Sequence, residues 1–241
     1  MKRLARLVLG RGRSGAPKPP ASGRVTTVVF DFDGTLADTF DLGLEVLNQL
    51  AVEFDFRQLK QEELVRAREM TLGQFMRFLG VSPRRLPTIA RKGTRRVRER
   101  IHEVKPIAGV QEMVRDLKRR GYRLGIITSN SEENVNIFLK NHDMEVFDFV
   151  KSSTQLMGKA RVIRRSMRLH GFTAEEVLFV GDESRDIQAC HEAGIRCAAV
   201  SWGFNSRDAL ASHLPHCLLD APVELGELLG DLDLEAKYPQ K

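Results

Sequence analysis

The sequence contains few cysteines and no long apolar run. Its three cysteines, Cys190, Cys197 and Cys217, are odd in number and have no C-x-x-C spacing, so neither a disulfide framework nor a zinc site is indicated. No apolar stretch approaches the roughly 18 residues that a membrane-spanning helix requires. We therefore expect no membrane association and a location in the reducing cytoplasm.

Acidic residues are missing from the N-terminal segment. The first 24 residues carry seven Lys and Arg residues and no Asp or Glu, whereas the 241-residue chain has 38 basic and 32 acidic residues. The basic excess therefore belongs to this segment, and its Gly, Pro and Ser content predicts a disordered tail over residues 1–24. Organelle targeting, contact with a nucleic acid or a partner, and an extension with neither role remain open for the tail. The nearly neutral remainder predicts no nucleic-acid partner.

Short apolar runs alternate with amphipathic helical patterns from Val25 onward. These runs are too apolar for a half-exposed sheet, and they are typical of parallel strands covered on both faces. The candidate strands are Val25–Asp31, Tyr122–Thr128, Val146–Val150, Val177–Gly181 and Arg196–Ser201. Because helical patterns separate the last four strands, the sequence predicts repeated βα units and a doubly wound parallel α/β sheet.

One interval, residues 38–104, breaks this alternation. It contains helix-like patterns and no strand signal, which indicates a small all-helical cap inserted after the first strand. Residues 25–37 and 105–241 then form the core. The end of the cap is rich in basic residues, which form either a solvated helix face or a clamp for the distal group of an anionic substrate; they are Arg91, Lys92, Arg95, Arg96, Arg98 and Arg100.

Aspartates follow two of the predicted strands. Asp31 ends the first strand and Asp33 comes two residues later, while Asp182 follows the fourth strand and Asp186 lies one helical turn further. In a doubly wound sheet these positions share the carboxyl edge, where ligands bind. Two carboxylates 4 Å apart repel by about 4 kcal/mol at an effective dielectric constant near 20. A Mg²⁺ ion would offset this repulsion, since it prefers a few carboxylates, waters and a substrate phosphate as ligands.

Groups suited to a phosphoryl ligand lie at the same edge. Thr128 ends the second predicted strand, and its hydroxyl can donate a hydrogen bond, with Ser129 beside it. Lys159 opens a predicted helix and supplies positive charge. Lys151 competes with Lys159 for this role, although it directly follows a strand.

The first aspartate pair is suited to covalent catalysis. With a metal neutralising its surroundings, Asp31 is best placed to attack phosphorus and form an aspartyl-phosphate. Asp33, displaced by the glycine turn, can protonate the leaving oxygen and then activate the hydrolytic water. Gly34 lets the backbone N–H groups after Asp33 approach phosphate oxygens closely, so Gly34 and Thr35 join the predicted phosphate-binding set.

These residues resemble the four motifs of the haloacid dehalogenase superfamily, in the order that the superfamily uses. The segments that carry the resemblance are DFDGTLADT, the apolar strand ending in Thr128, Lys159, and VLFVGDESRDIQA. The resemblance implies a Rossmann-like core with a helical cap inserted after the first motif, and Mg²⁺ dependence. It also implies individual roles: Asp31 as nucleophile, Asp33 as acid/base with its backbone carbonyl on the metal, Thr128 and Lys159 on the phosphoryl group, and Asp182 and Asp186 on the metal side.

Asp33 limits the types of reaction that the resemblance implies. Phosphatases and phosphomutases of the superfamily carry this second aspartate, whereas its haloacid dehalogenases lack it. The segments EEVLFVGDESRDIQACHEAGI and VSWGFNS are similar to phosphoglycolate phosphatases. We therefore expect a Mg²⁺-dependent phosphatase that hydrolyses a small phosphorylated metabolite, with 2-phosphoglycolate as a candidate. A phosphomutase of the β-phosphoglucomutase type and a non-catalytic binding or regulatory scaffold are the alternatives, and the oligomeric state stays open.

Overall fold

The computed structural model describes residues 24–153 and 158–237. The strands of this part of the chain are β1 Thr27–Phe30, β2 Arg123–Thr128, β3 Phe149–Ser152, β4 Val177–Gly181, β5 Arg196–Val200 and β6 Cys217–Leu219. Its α-helices are α1 Phe40–Phe54, α2 Leu64–Arg68, α3 Leu72–Phe78, α4 Leu86–Glu99, α5 Val110–Arg119, α6 Glu132–Asn141, α7 Lys159–His170, α8 Ser184–Ala193, α9 Arg207–Ser212 and α10 Val223–Lys237. The predicted disordered tail lies outside the described residues, apart from Arg24.

The strands form one parallel sheet in the order β3-β2-β1-β4-β5-β6. The order reverses at β1, which confirms the predicted doubly wound α/β sheet and brings the ends of β1, β2 and β4 together. Side chains alternate between the two faces of β1, since Val28 and Phe30 join one apolar core and Val29 joins the other. Helices cover both faces, so the strands are buried on each side, as their apolar composition indicates.

Two details of the sheet differ from the sequence-based expectation. The third strand is Phe149–Ser152, later than the predicted Val146–Val150, because Val146 and Phe147 pack against the core from the preceding turn. The sixth strand, Cys217–Leu219, was not predicted at all. It has only three residues, too few for an apolar pattern to distinguish it from a loop.

Helices α1 to α4 follow β1 in the chain and precede α5 and β2. The segment that follows β1 lies beside the segment that follows α4. The Asp38 N–H donates to Lys105 O (2.9 Å), and the Ile107 N–H donates to Leu36 O (3.0 Å). We propose that this pairing marks the boundary between the core and the helical cap. No helix among the described residues has both the length and the apolar character needed to cross a bilayer.

The basic residues of α4, and Arg100 directly after it, are largely engaged by acidic neighbours. Lys92 and Arg96 both pair with Glu53 of α1, while Arg95 pairs with Glu99 on its own helix. Arg98 pairs with Glu133 of α6, and Arg100 pairs with Glu45 and Glu103. This arrangement favours the solvated, paired helix face over the anion clamp. Each such pair contributes only about 0–1 kcal/mol to stability, because water screens it.

Gly125 of β2 is required by the packing of its neighbour on β3. The ring of Phe149 covers Gly125, and a Cβ atom at that position would overlap the ring. Phe149 is itself held by stacking on His170, with ring centroids 4.4 Å apart. We therefore expect Gly125→Ala to lower the free energy of unfolding by about 1–3 kcal/mol, as overpacking does elsewhere. Urea unfolding measures this change.

Gly230→Ala is the matched control, since a Cβ atom at this helical position meets no atom within 4 Å. We expect this substitution to raise stability by about 0.5–1 kcal/mol, because alanine is the better helix former. A Gly125→Ala variant as stable as the wild type would contradict the packing account.

His216 makes folding stability depend on pH. Its Nδ1 atom accepts a hydrogen bond from the Cys197 N–H of β5 (3.0 Å), and burial, with His191 and Arg196 nearby, lowers its pKa from 6.5 to about 4. Since the unfolded chain then binds the proton more readily, this contribution is complete above pH 6.5 and is lost progressively as the pH falls toward 4.

Asparagine keeps a hydrogen-bond acceptor but cannot titrate. Between pH 6.5 and 4 we therefore expect the free energy of unfolding of His216→Asn to fall by about 1–2 kcal/mol less than that of the wild type. This value is reduced from the full shift because the imidazole is only half-buried. Urea unfolding across the pH range measures it, with His102→Asn at an exposed histidine as the control. Parallel stability curves for the wild type and His216→Asn would refute this role.

Candidate active site

Asp31 lies directly after β1, at the carboxyl edge of the sheet. Its N–H still donates to Val180 O of β4 (2.8 Å), so the sheet fixes its backbone. The side chain is 2% exposed, and its Oδ1 atom accepts a hydrogen bond from the Phe32 N–H (2.8 Å). The second oxygen, Oδ2, lies 2.7 Å from Lys159 Nζ.

Asp182 and Asp186 reach the same point from β4 and the first turn of α8. The Thr35 hydroxyl donates to Asp182 Oδ1 (2.5 Å), and the Phe204 N–H donates to its Oδ2 (2.8 Å). Asp186 Oδ1 accepts from Lys159 Nζ, while its Oδ2 accepts from the Glu183 N–H (3.2 Å). Both aspartates are fully buried.

Asp31, Asp182 and Asp186 form a buried cluster whose ligand oxygens lie within 4.8 Å of one another. Burial and neighbouring carboxylates raise the pKa of Asp182 well above its ordinary value. Burial also raises the pKa of Asp186 to about 6, although Lys159 opposes the shift. One ammonium group thus faces three carboxylates, and the cluster keeps an excess of negative charge. Hard oxygen ligands with such an excess fit a divalent cation of the Mg²⁺ type.

Lys159 is the cation that the sequence analysis favoured, and it opens α7. Its side chain is 8% exposed and bridges Asp31 and Asp186. Burial opposes its charge, but the carboxylates of Asp186 and Asp31 raise its pKa above the ordinary value, so it stays protonated. The competing Lys151 lies away from the cluster, with its Nζ 3.8 Å from Glu132.

Three glycines allow the carboxylates to approach the main chain this closely. Gly34 has a φ angle of +73°, and a Cβ atom there would overlap the carboxylate of Asp182 and the ring of Phe204. At Gly203 a Cβ atom would also overlap the Asp182 side chain, and at Gly181 it would overlap the side chain of Asp186. Any other residue at these three positions would push the cluster apart.

Asp33 lies beside the cluster but outside it. Its side chain is half-buried, and Asn130 Nδ2 donates to both of its carboxylate oxygens at 3.2 Å. Burial and the charge of Asp31 raise its pKa to about 6, although Asn130 opposes this shift. A carboxyl group with this pKa can both donate and accept a proton near neutral pH.

The predicted phosphate-binding residues differ in their burial and in the hydrogen bonds that they already make. Thr128, fully buried, accepts a hydrogen bond at Oγ1 from the Asn130 N–H (3.0 Å), while Ser129 is exposed beside it. The N–H groups of Gly34 and Thr35 already donate within their own loop, to Ala37 O (2.9 Å) and Phe32 O (3.3 Å).

Sequence reasoning missed the polar residues that join the end of α2 to the loop after β5. Asn205 accepts the Ser184 N–H of α8 (2.9 Å) and donates to the carbonyls of Arg68 and Met70. Arg68 donates in turn to Gly203 O (2.7 Å). The contacts of Asn205 with Arg68 and Met70 and that of Arg68 with Gly203 span 135 to 137 positions along the chain, so no local pattern could identify them.

A cavity of about 190 Å³ opens above Asp33, between the sheet edge and helices α1 and α4. Its lining combines main-chain and small polar groups with few apolar side chains; the residues are Asp33, Thr39, Gly43, Thr94, Val97, Ser129, Asn130 and Phe204. We name it the mouth cavity. It has the location expected for the part of a substrate that leaves with the departing oxygen.

Comparison with known proteins agrees with this geometry. A family model described as haloacid dehalogenase-like hydrolase matches residues 28–200. A phosphoglycolate phosphatase from Synechococcus elongatus is 29% identical over 206 residues, which cover 85% of this chain and 97% of that protein. The pyrophosphatase PpaX of Bacillus cereus is 28% identical over 226 residues, which cover 87% of this chain and 99% of that protein.

A solved structure shares the fold. A predicted phosphatase from Clostridium acetobutylicum matches with a TM-score of 0.76 and 19% sequence identity, over 87% of this chain and 100% of that one. The family model itself extends from β1 to the end of β5 and contains every aspartate of the buried cluster. The chain therefore belongs to the haloacid dehalogenase-like hydrolase family.

Proposed function

We propose that this enzyme is a Mg²⁺-dependent phosphatase that hydrolyses a small phosphate monoester through an aspartyl-phosphate on Asp31. The observation that carries the proposal is the position of Asp31, which contacts Lys159 and lies within 4.8 Å of two further buried carboxylates, with Asp33 two residues along the chain. Membership of the family and the phosphatase names of the relatives support it. 2-Phosphoglycolate belongs to this substrate class and is named for the Synechococcus relative.

The cation would be held by the carboxylates of Asp31, Asp182 and Asp186, with the Asp33 carbonyl as a further ligand implied by the family. When bound, it supplies positive charge that offsets the repulsion between the carboxylates and an anionic substrate. Lys159, which contacts Asp31 and Asp186, would add a fixed positive charge for the phosphoryl group. The Thr128 hydroxyl, which is an acceptor toward Asn130, keeps its own proton for donation to a phosphoryl oxygen.

Hydrolysis then proceeds in two steps at phosphorus. An oxygen of Asp31 forms a bond to phosphorus while the bond to the ester oxygen breaks, and Asp33 gives its proton to the departing alcohol. Water next attacks the aspartyl-phosphate and loses a proton to Asp33, and the bond from phosphorus to Asp31 breaks. The products are the alcohol and inorganic phosphate, and both aspartates return to their starting states.

Removal of the nucleophile tests this assignment. We expect Asp31→Asn to lower kcat/KM for phosphate release by roughly 10³-fold or more, because the amide cannot form the acyl-phosphate. A malachite-green assay of released phosphate measures the loss, and intact-mass spectrometry of quenched wild type should detect one added phosphoryl group. Asp116→Asn, at a partly exposed position on α5, is the control with the same chemical change. Undiminished phosphate release by Asp31→Asn would sink the assignment and favour a different chemistry.

Metal binding can be tested without turnover. We expect Mg²⁺ to raise Tm, because binding to the folded state alone stabilises it by about 2.7 kcal/mol at 100 times Kd. Asp186→Asn should weaken this Mg²⁺-dependent rise, since the cluster loses one carboxylate. Differential scanning fluorimetry with NaCl at matched ionic strength provides the control. Equal effects of Mg²⁺ and NaCl on the wild type would contradict the proposed cation site.

A further inference from the structure

A second cavity, of about 240 Å³, lies between α1, α2 and α3 of the helical segment. Its walls are mainly hydrocarbon, supplied among others by Leu44, Leu47, Leu59, Leu64, Met70 and Phe75. An apolar protein cavity of about 150 Å³ is large enough to bind benzene. We name this space the apolar cavity, and it can accept a hydrocarbon group of at least that size.

The apolar cavity adjoins the active site. Gly43 and Phe204 line both this cavity and the mouth cavity. Glu183, the residue after Asp182, also belongs to its lining, and the Phe204 N–H is bonded to the Asp182 carboxylate. A group attached to the departing oxygen therefore needs to pass only Gly43 and Phe204 to reach it.

The charged side chains around both cavities already have protein partners, so none of them is available to hold an anionic leaving group. In the apolar cavity Arg68 donates to the carbonyls of Gly203 and Phe204, and Glu183 is paired with Arg185 (2.6 Å). Within the described part of the chain, the lining of the mouth cavity includes no lysine or arginine, and Arg185, which lies 3.5 Å from Ser129 of that lining, is paired with Glu183. The basic side chains of α4 that pair with acidic neighbours lie on the surface and offer no alternative.

We propose that the apolar cavity binds the alcohol portion of the substrate, so that the enzyme prefers phosphate monoesters of apolar alcohols over esters with an anionic leaving group. This inference rests on the proposed phosphatase function and assigns its substrate class. Burial of each methylene group in the cavity lowers the transition-state free energy, and about 0.8 kcal/mol corresponds to roughly a fourfold gain in kcat/KM.

A homologous series of substrates tests the inference on the wild-type enzyme. Methyl, butyl and hexyl phosphate have leaving groups of similar acidity and differ mainly in apolar length. We expect kcat/KM to rise along the series, by up to about fourfold per methylene, and hexyl phosphate to exceed 2-phosphoglycolate. The matching alkylphosphonates, which contain no cleavable ester, should inhibit more strongly as the chain lengthens.

Gly43→Leu tests the route into the cavity. A Cβ atom at Gly43 meets no atom within 4 Å, so a leucine side chain extends into open space where the cavities adjoin, and leucine also favours the helix. We expect the ratio of kcat/KM for hexyl over methyl phosphate to fall at least tenfold. Gly230→Leu makes the same change in α10, where a Cβ atom also meets nothing within 4 Å, and should leave the ratio unchanged.

The outcomes separate this inference from the function on which it rests. Phosphate release from the esters without any dependence on chain length, or a preference for 2-phosphoglycolate over hexyl phosphate, overturns the inference and leaves the phosphatase function intact. Absence of turnover with every ester overturns both. Should Gly43→Leu fail to fold, the wild-type series and the phosphonate inhibition decide the question alone.

Discussion

Repulsion among buried carboxylates is the constraint on which the rest of this structure depends. Asp31, Asp182 and Asp186 meet within 4.8 Å at the edge of the sheet, where each pair of charges costs about 4 kcal/mol even at an effective dielectric constant near 20. Lys159 offsets part of this cost through its contacts with Asp31 and Asp186. A divalent cation would neutralise the remaining negative charge. The repulsion that opposes folding therefore also favours binding of the cation.

The fold holds this arrangement through the main chain. Parallel pairing of β1 with β4 places Asp31 beside the end of the neighbouring strand, and N–H groups of Phe32, Glu183 and Phe204 donate to the three carboxylates. Glycine at positions 34 and 181 removes the side chains that would separate them. Because these donors are main-chain groups that follow the ends of β1, β4 and β5, the fold itself sets the positions of the three carboxylates.

Local patterns and long-range contacts differed in how well the sequence predicted them. The apolar runs before Asp31 and before Asp182 could be recognised from neighbouring residues alone, so the sheet and the positions of its aspartates followed from spacing. The sixth strand is too short to give a pattern. Asn130 and Asn205 act through hydrogen bonds to Asp33 and Arg68, residues far away in sequence, and such polar contacts become visible only once the chain is folded.

The central claim is that one cation and one covalent phosphoryl site share the Asp31 carboxylate. The most direct measurement is a crystal structure of the protein grown with Mg²⁺ and trifluoroberyllate, a mimic of an acyl-phosphate. The account predicts beryllium bonded to an Asp31 oxygen, with Mg²⁺ contacting Asp31, Asp182 and Asp186. A structure with Mg²⁺ bound elsewhere, or with Asp31 unmodified while beryllium fluoride occupies another residue, would contradict it.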